Sequence, residues 1–543
     1  MINKLRLRVV IGLFVLAAGF GSQARAASNN FIERVLLISI DGMHALDFAN
    51  CVGGGLEGAP YCPSLANLLK KGTTYVNAST SKPSDSFPGL TAQITGGSPR
   101  SSGIFYDVSY DRALSPPAQT TPYGIVGGPT LCPSVVGTQV GFDEEIDNDL
   151  TKLDGGGGIN PNYLPRDPNK NCAPVYPHTY LRDNTIFEVV KASGGYTAWS
   201  DKHPSYEFTN GPSGHGVDDF YGPEINSIPV PLPTVPGCDP LPDQAATTSS
   251  DDWTTSFQNI RCYDSLKVQA TINQINGKTH DGIGPVPVPT LFGMNFQAVS
   301  VGEKLVEYHP NPSSPIVGGY SDALGTPSGE LLSEIEFVDA SIGKILAALS
   351  KRKLLDSTLI IISAKHGQSP IDPNRVLRIP ADNPSDQSPA TILGSIVAQS
   401  DEDDVSLIWL SDQTQTASAA ATLATASNEA IDGGGEIFAG PSVDLIFNNP
   451  LADSRTPDIV VAPNVGVIYT GGMDKIAEHG GFAHDDTNVL LLVTNPKFAP
   501  STVTEPVQTA QIAPTILTAL GLDPHKLKAV KQEHTQPLPG LPF

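Results

Sequence analysis

Runs of hydrophobic residues without polar alternation mark the predicted strands of this chain. The first run is Val35–Ile40, and later runs lie at Thr290–Phe296, Leu359–Ser363, Asp458–Val461 and Val489–Val493. A run of this kind is typical of a strand that is buried on both faces of a parallel sheet. The pattern therefore predicts a mostly parallel central sheet that is covered on both sides.

Two helical patterns accompany these runs. Residues Glu330–Ser350 have apolar positions at spacings of three and four, which predicts an amphipathic helix before the strand at Leu359. A shorter helix begins around Ala513 and ends before Gly521. Strands that alternate with helices indicate an α/β protein with ligand sites at the carboxyl ends of its strands. We therefore expect a three-layer α/β/α sandwich.

Three stretches between these elements are rich in Pro, Gly, Asn and Asp. They cover about residues 108–183, 211–287 and 368–455, and we expect insertions that form a rim or cap, because long loops are usually functional or irregular. Residues 411–427 are dense in Ala and Thr and fit either a helix or a low-complexity segment. Residues 27–543 are thus predicted to form one domain with three insertions.

The first 26 residues have the pattern of a secretory signal peptide. Lys4, Arg6 and Arg8 precede the apolar stretch Val9–Phe20, and a small-x-small cleavage site ends at Ala26. The stretch is shorter than the ~20 residues that span a bilayer, which favours export over a membrane anchor. We expect a periplasmic or extracellular protein with no membrane contact after signal removal.

The cysteines and the net charge agree with this location. The chain has six cysteines, an even number that favours disulfides in an oxidising compartment, and only the Cys51/Cys62 pair suggests itself as a local bridge. The formal net charge is −23, or −27 without the first 26 residues. A protein this acidic is a poor partner for nucleic acid polymers, whose binding needs basic patches. An anionic substrate would require a local positive centre.

Polar residues follow several of the predicted strands. Asp41 comes directly after Val35–Ile40, and Ser86 stands where a helix through Thr95 is predicted to begin. A hydroxyl at a helix start lies near free N–H groups and the positive end of the dipole, which helps an alkoxide to form. His366 and His479 follow other strand-like runs. The structural alternatives are helix caps for Asp41 and Ser86 and packing roles for the histidines.

Taken in order, these fragments resemble the alkaline phosphatase superfamily, and most closely its nucleotide pyrophosphatase/phosphodiesterase branch. The fragments are Ile38–Gly42, Ser86–Pro88, Thr95–Gly97, Ile362–Gly367, His479–Gly480 and Ile512–Thr515. The resemblance implies hydrolysis of phosphoric ester bonds through Ser86, which would become a covalent phosphoseryl intermediate. It also implies two zinc ions, one lowering the pKa of the Ser86 hydroxyl and one polarising the phosphoryl oxygens.

The family's metal ligands are only partly present. Asp41, Ser86 and His366 match ligands of the metal beside the nucleophile, and His479 matches one ligand of the other metal. The resemblance therefore implies one or two Zn²⁺ ions, where the family normally has two, held by these four residues and by Glu303, which stands where the family has a histidine.

Three further positions depart from the family pattern. Lys365 stands where the family has a second aspartate, Val299 replaces another aspartate, and Asp107 replaces an asparagine that steadies the phosphate. A different alignment would make Asp322 the missing ligand. An ammonium beside a dication is unfavourable in a buried site, so Lys365 is expected to supply positive charge in place of a metal.

A further fragment bears on the substrate. Gly195–His203 is similar to the stretch in sulfatases and phosphonate hydrolases in which a Lys and a His contact the substrate anion. Lys202 and His203 are thereby predicted to hold an oxyanion or protonate a leaving group, and the alternative is a surface pair. Leu90 stands where the sulfatase motif has an arginine, which speaks against a sulfatase.

The sequence thus predicts an exported hydrolase of small phosphodiester or nucleotide-type substrates. Its predicted catalytic residues are Ser86, Lys365, Lys202 and His203. Two alternatives remain open at this point: a metal-poor family member that binds a ligand without turnover, and a metal-independent esterase with Lys365 as its positive centre. The sequence does not indicate the oligomeric state.

Overall fold

The structure of the chain is a computed structural model. It describes residues 31–54, 58–128, 132, 137–235, 238, 252–308, 313–380, 382–426, 431, 435–470 and 472–543. The predicted signal peptide, residues 1–26, lies outside these residues. Within the described ranges, no helix has the length and hydropathy needed to span a membrane.

Two larger sheets organise the described residues. Their strands are β1 (Arg34–Ile40), β2 (Gly72–Tyr75), β3 (Thr197–Ser200), β4 (Asp219–Tyr221), β5 (Leu291–Phe296), β6 (Thr358–Ser363), β7 (Val397–Glu402), β8 (Ser406–Leu410), β9 (Glu436–Ala439), β10 (Ile459–Ala462), β11 (Leu491–Thr494) and β12 (Ser501–Val503). Eight of them form the central sheet in the order β12-β2-β11-β6-β1-β5-β3-β4. Only β11 runs antiparallel to its neighbours, which confirms the predicted, mostly parallel sheet.

Helices cover both faces of the central sheet. They are α1 (Ala45–Gly53), α2 (Pro63–Leu69), α3 (Ser86–Thr95), α4 (Pro99–Ser102), α5 (Pro177–Tyr180), α6 (Ile186–Ala192), α7 (Phe257–Ile275), α8 (Ala298–Lys304), α9 (Gly329–Lys351), α10 (Pro389–Leu393), α11 (Thr416–Thr425), α12 (His484–Thr487), α13 (Ile512–Ala519) and α14 (Lys528–Glu533). Leu36 and Ile38 of β1 pack with α7, α8 and α9, whereas Val35 and Leu37 pack with α3, α6 and α13. The three-layer α/β/α sandwich is confirmed.

The second sheet is antiparallel and has the order β7-β8-β10-β9. Its faces bury Leu407 and Trp409 on one side and Ile408 and Leu410 on the other. The strand predicted near residues 458–461 exists as β10, but it was wrong to count it among the core strands. Its neighbours β8 and β9 come from the adjacent predicted insertion, so it pairs there.

Several elements inside the predicted insertions were not foreseen. The 19-residue helix α7 lies within the predicted insertion 211–287, yet it packs on the central sheet beside α9. In residues 411–427, by contrast, the sequence left a helix or low complexity open, and the structure has the helix α11. The described residues also contain five two-stranded pairs: Val108–Asp111 with Thr138–Gly141, Arg166–Asp167 with Ala173–Pro174, Val306–Glu307 with Ile316–Val317, Leu377–Arg378 with Val467–Ile468, and Ala78–Ser79 with Val507–Gln508.

Three disulfides cross-link the chain. They join Cys51 to Cys62, Cys132 to Cys172, and Cys238 to Cys262. The local pair that the sequence suggested is therefore confirmed. The third bridge joins Cys238, which lies outside the sheet, to Cys262 of α7. It therefore links part of the predicted insertion 211–287 to the core.

Two arginines hold the second sheet against the central domain. The Arg182 guanidinium donates two hydrogen bonds of 2.7 Å to the Asp453 carboxylate. Arg455 donates to the Tyr180 carbonyl at 2.7 Å and to Asp111 at 3.0 Å. Bidentate Arg–carboxylate pairs have a fixed geometry, so these contacts fix the position of the segment that precedes β10.

The Arg182–Asp453 pair predicts a pH-dependent stability. Burial would raise the pKa of Asp453, but the hydrogen bonds and charge of Arg182 lower it to about 2. Because the folded pKa is below the unfolded value, this stabilisation is full above about pH 4 and is lost as the pH falls towards 2. Asp453→Asn should therefore cost about 1–2 kcal/mol at pH 7 and progressively less below pH 4.

Chemical denaturation at several pH values measures this effect. Asp356→Asn removes an exposed carboxylate and serves as the matched control, with little change expected at any pH. A loss in Asp453→Asn that stays constant from pH 7 to pH 2 would contradict the assigned pairing.

Candidate active site

The carboxyl ends of β1, β6 and β3 and the start of α3 meet at one edge of the central sheet. Asp41 follows β1, Lys365 and His366 follow β6, and Lys202 follows β3 two residues after its end. These residues come together around Ser86, the first residue of α3. Parallel strands place their ends together in this way.

The Ser86 hydroxyl lies between a carboxylate and an ammonium group. Its Oγ donates to Asp41 Oδ2 at 3.4 Å and accepts from Lys202 Nζ at 3.0 Å. The side chain is buried. Asp85, not Ser86, caps the helix, because its carboxylate accepts the Phe87 N–H at 3.0 Å. The alternative of Ser86 as a helix-capping serine is therefore wrong.

Close packing of α3 sets the position of Ser86. A Cβ atom at Gly89 would lie 2.2 Å from the Lys365 carbonyl oxygen, so only glycine allows the helix this close to the end of β6. Gln93 donates to the Ala364 carbonyl at 2.8 Å, and Thr80 donates to the Lys365 carbonyl at 2.5 Å. Gln93 thus joins α3, and Thr80 joins the segment before α3, to the residues that directly follow β6.

Two amide side chains bind the Asp41 carboxylate. Asn295 Nδ2 donates to Oδ1 at 2.7 Å, and Gln297 Nε2 donates to Oδ2 at 2.6 Å. The amide nitrogens must face the carboxylate, because the reverse orientation would oppose two acceptors. Burial alone would raise the pKa of Asp41, but the charges of Lys365 and His366 hold it well below its usual value. A helix-cap role for Asp41 is wrong, since α1 begins at Ala45.

Lys365 is a fully buried cation between two carboxylates. Its Nζ lies 2.7 Å from Asp201 Oδ1 and 3.8 Å from Asp41 Oδ2, and it sits 4.2 Å above the Tyr206 ring. The Trp199 indole donates to the other oxygen of Asp201 at 2.9 Å. Burial lowers the pKa of Lys365, and the charges of Asp201 and Asp41 oppose that shift.

The two predicted histidine ligands lie side by side. The ring centroids of His366 and His479 are 4.2 Å apart. His366 Nδ1 is 3.0 Å from the Gly367 carbonyl, and its Nε2 lies 3.6 Å from Asp41 Oδ2. Burial lowers the pKa of both rings, and for His479 the neighbouring positive charges lower it further.

The other predicted residues lie apart from Ser86. His203 Nδ1 binds Glu224 at 2.8 Å, and burial lowers the pKa of the ring to about 4. Val299 is buried among apolar residues of α8. The Asp322 carboxylate accepts from the Thr326 hydroxyl at 2.9 Å within its own turn. Of the predicted pair, only Lys202 contacts Ser86, whereas His203 contacts Glu224.

Glu303 belongs to a separate buried cluster. Among the described residues, one group of three has ligand atoms within 4.8 Å of one another, namely His44, Asp47 and Glu303. His44 Nδ1 lies 2.8 Å from Asp47 Oδ2 and 3.4 Å from Glu303 Oε1, and Tyr320 donates to Glu303 at 2.9 Å. Burial raises the pKa of Glu303 to about 7. The structure therefore contains a possible metal-binding triad, which includes only one of the predicted ligands.

The donor set beside Ser86 does not fit the two-zinc centre that the resemblance implies. Both oxygens of Asp41 already accept amide hydrogen bonds from Asn295 and Gln297. The Lys365 ammonium lies 3.8 Å from Asp41 Oδ2. For the other metal, His479 remains, Val299 offers no donor, and Glu303 contacts Tyr320 instead.

Reasoning from the sequence missed four residues of this site. Asn295 and Gln297 flank the end of β5 beside β1, where their amides reach Asp41, and Asp201 and Tyr206 surround Lys365. Polar residues at the end of the Thr290–Phe296 run could have indicated Asn295 and Gln297. Nothing along the chain links Lys365 to Asp201, since 164 positions separate them.

The Asp107 position adds negative charge near Ser86. The pKa of Asp85, the cap of α3, is raised well above its usual value, first by burial and then by the charge of Asp107. Lys202 opposes that shift. At the start of α3, burial and Asp107 thus disfavour the charged form of Asp85, and the Lys202 ammonium favours it.

A family model matches two parts of this chain. The family model described as "Type I phosphodiesterase / nucleotide pyrophosphatase" matches residues 35–129 and 315–483, which include Asp41, Ser86, Lys365, His366 and His479. No curated protein gave a significant match.

Solved structures share the fold at low sequence identity. Murine ectonucleotide pyrophosphatase / phosphodiesterase 5 is 14% identical, with a TM-score of 0.52 over 90% of this chain and 95% of that chain. Its inactive variant in complex with AMP is 13% identical, with a TM-score of 0.52 over the same shares of 90% and 95%. The human protein is 13% identical, with a TM-score of 0.51 and again 90% and 95% coverage. The family model confirms the resemblance to the nucleotide pyrophosphatase/phosphodiesterase branch of the alkaline phosphatase superfamily and supports a hydrolase of the phosphodiesterase type.

Proposed function

We propose that the protein is an exported hydrolase that cleaves small phosphodiester or nucleotide-type substrates with Ser86 as its nucleophile. One observation carries this proposal: the buried Ser86 Oγ donates to Asp41 and accepts from Lys202 at the start of a helix. A hydroxyl held between a carboxylate and a cation is oriented and stabilised as it becomes an alkoxide. The three disulfides support an oxidising, exported location.

The proposed reaction has two steps. In the first, a bond forms between Ser86 Oγ and phosphorus while the bond from phosphorus to the alcohol oxygen breaks, and the hydroxyl proton leaves with the alcohol. In the second, water cleaves the phosphoseryl bond, which returns a proton to Ser86 and releases the phosphate monoester. Lys202 lies 3.0 Å from Oγ, where negative charge develops in both steps.

The substrate class rests on the family and on local charge. The related murine structure contains AMP, a nucleotide monophosphate. In this acidic chain, Lys202 and Lys365 bring two positive charges to the surroundings of Ser86. Ser86 is buried and Lys202 is half-buried, so an anionic phosphoryl group is expected to reach the hydroxyl past the Lys202 side chain.

Removal of the nucleophile is the direct test. Ser86→Ala should lower the kcat for bis-p-nitrophenyl phosphate by at least about 10³-fold, because no other hydroxyl replaces the attacking oxygen. Acid quench of the wild-type reaction, followed by mass spectrometry, should identify a phosphorylated peptide that contains Ser86.

Ser81→Ala is the matched control, since this half-buried serine donates to the Pro83 carbonyl instead of contacting the site. Its activity should stay close to that of the wild type. Full activity in Ser86→Ala would reject the assignment. A wild-type protein that binds AMP but cleaves no phosphodiester would favour the alternative of ligand binding without turnover.

The packing of α3 gives a second test. Gly89→Ala places a methyl group against the Lys365 carbonyl, so α3 must shift and carry Ser86 with it. Because small misplacements of a nucleophile are costly, we expect kcat to fall by about 10- to 10²-fold. Steady-state kinetics and the melting temperature of the same samples separate this effect from unfolding.

Gly329→Ala serves as its control, because a Cβ there meets no atom within 4 Å. It should leave the kinetics unchanged. Wild-type kinetics in Gly89→Ala would show that the position of Ser86 does not depend on the close approach at Lys365.

A further inference from the structure

We propose that the ammonium groups of Lys365 and Lys202 take the place of the metal ion beside Ser86, so that ester cleavage at this site needs no metal. The inference rests on the proposed function for its chemistry but makes a separate claim about ion binding. It follows from the donor set: the residues beside Ser86 do not form a centre for a divalent ion.

The hydrogen bonds of Asp41 give the first argument. Asn295 and Gln297 occupy Oδ1 and Oδ2 at 2.7 and 2.6 Å. A metal bound to Asp41 would have to displace the Gln297 amide or share Oδ2 with it. Neutral amide donors suit a carboxylate that is neutralised by a neighbouring ammonium, and they supply no ligand that would hold a metal.

The surroundings of Lys365 give the second argument. Asp41 Oδ2 and His366 Nε2 lie 3.6 Å apart and could both face one cation. The cation that the structure places next to Asp41 is the Lys365 ammonium, 3.8 Å from Oδ2. Asp201 and the Tyr206 ring hold it there at 2.7 and 4.2 Å. A buried charge needs such partners, and a divalent ion next to it would be repelled.

Charge provides the third argument. Lys365 and Lys202 together carry the same two positive charges as one divalent ion. Lys202 contacts the nucleophile directly at 3.0 Å, and Lys365 neutralises the carboxylate to which the nucleophile donates. The pair can therefore stabilise the charge that develops on Oγ and on the phosphoryl oxygens. The bond changes are those of the proposed reaction, and no further reactant is required.

Metal binding tests the inference without any substrate. Wild-type protein is treated with a chelator, desalted and titrated with Zn²⁺ by calorimetry, and its metal content is measured by mass spectrometry. Asp41→Asn and Asp47→Asn are treated in the same way, since Asp47 belongs to the separate triad with His44 and Glu303.

Two results support the inference: no bound ion, or an ion that Asp47→Asn loses and Asp41→Asn retains. An ion that Asp41→Asn loses would overturn it, because that ion would lie beside Ser86. This readout holds whether or not the protein cleaves phosphodiesters.

Reversing the charge at Lys365 provides a gain-of-function test. Lys365→Asp restores the carboxylate that the family has at this position, and we expect its Zn²⁺ affinity to exceed that of the wild type by at least 10-fold. Lys365→Asp combined with Asp201→Asn keeps the number of buried carboxylates unchanged if the single variant does not fold. Lys344→Asp changes an exposed lysine and controls for net charge. No gain in affinity would overturn the role of Lys365 in excluding the ion.

Activity is the last readout. The rate with bis-p-nitrophenyl phosphate should change less than 2-fold after chelation, whereas Lys365→Met combined with Asp201→Asn should lower kcat by about 10²-fold or more. Activity that is lost on chelation and restored by Zn²⁺ would overturn the inference. A wild-type protein without any activity would contradict the proposed function, while the metal titration would still decide the inference.

Discussion

The ion pair between Lys365 and Asp201 is the interaction on which the rest of the site depends. A fully buried ammonium is unfavourable unless carboxylates and hydrogen bonds surround it. Here Asp201 pairs with it, Trp199 fixes Asp201, and Asp41 lies on its other side. This arrangement links the ends of β1, β3 and β6, so the charge balance of the site follows from the sheet that carries it.

The residues that follow β6 also position Ser86. Gly89 lets α3 approach the Lys365 carbonyl, and the Gln93 amide binds the neighbouring Ala364 carbonyl. Ser86 therefore reaches Asp41 as the first residue of the helix. Backbone packing and side-chain electrostatics thus both depend on Lys365. Its ammonium is the buried cation, and its carbonyl is the group against which α3 packs.

The fold is shared with distant relatives at low sequence identity. Identity to the solved structures is 14% or lower over about nine-tenths of the chain. An α/β/α sandwich needs only apolar strands and helix faces, which many sequences provide. A metal centre, by contrast, needs particular ligands at particular positions. A fold can therefore persist among sequences that differ in the side chains at its strand ends.

The sequence by itself determined the layers of the fold, because uninterrupted apolar runs such as Val35–Ile40 and the amphipathic period of residues 330–350 depend on local composition. It also indicated Asp41, Ser86, Lys365 and His366, since these residues directly follow predicted strands or begin a predicted helix. It did not identify α7 within a loop-like stretch, or the membership of β10 in a second sheet, because both depend on distant partners.

The contacts within the site were decided only by the tertiary structure. Asp201 is 164 residues from Lys365, and Asn295 is 254 residues from Asp41. Glu303, which the sequence predicted as a metal ligand, contacts Tyr320 and His44, which no local pattern could show. The order of residues along the chain thus placed the polar residues at the strand ends, and packing between distant segments determined which charged groups contact one another there.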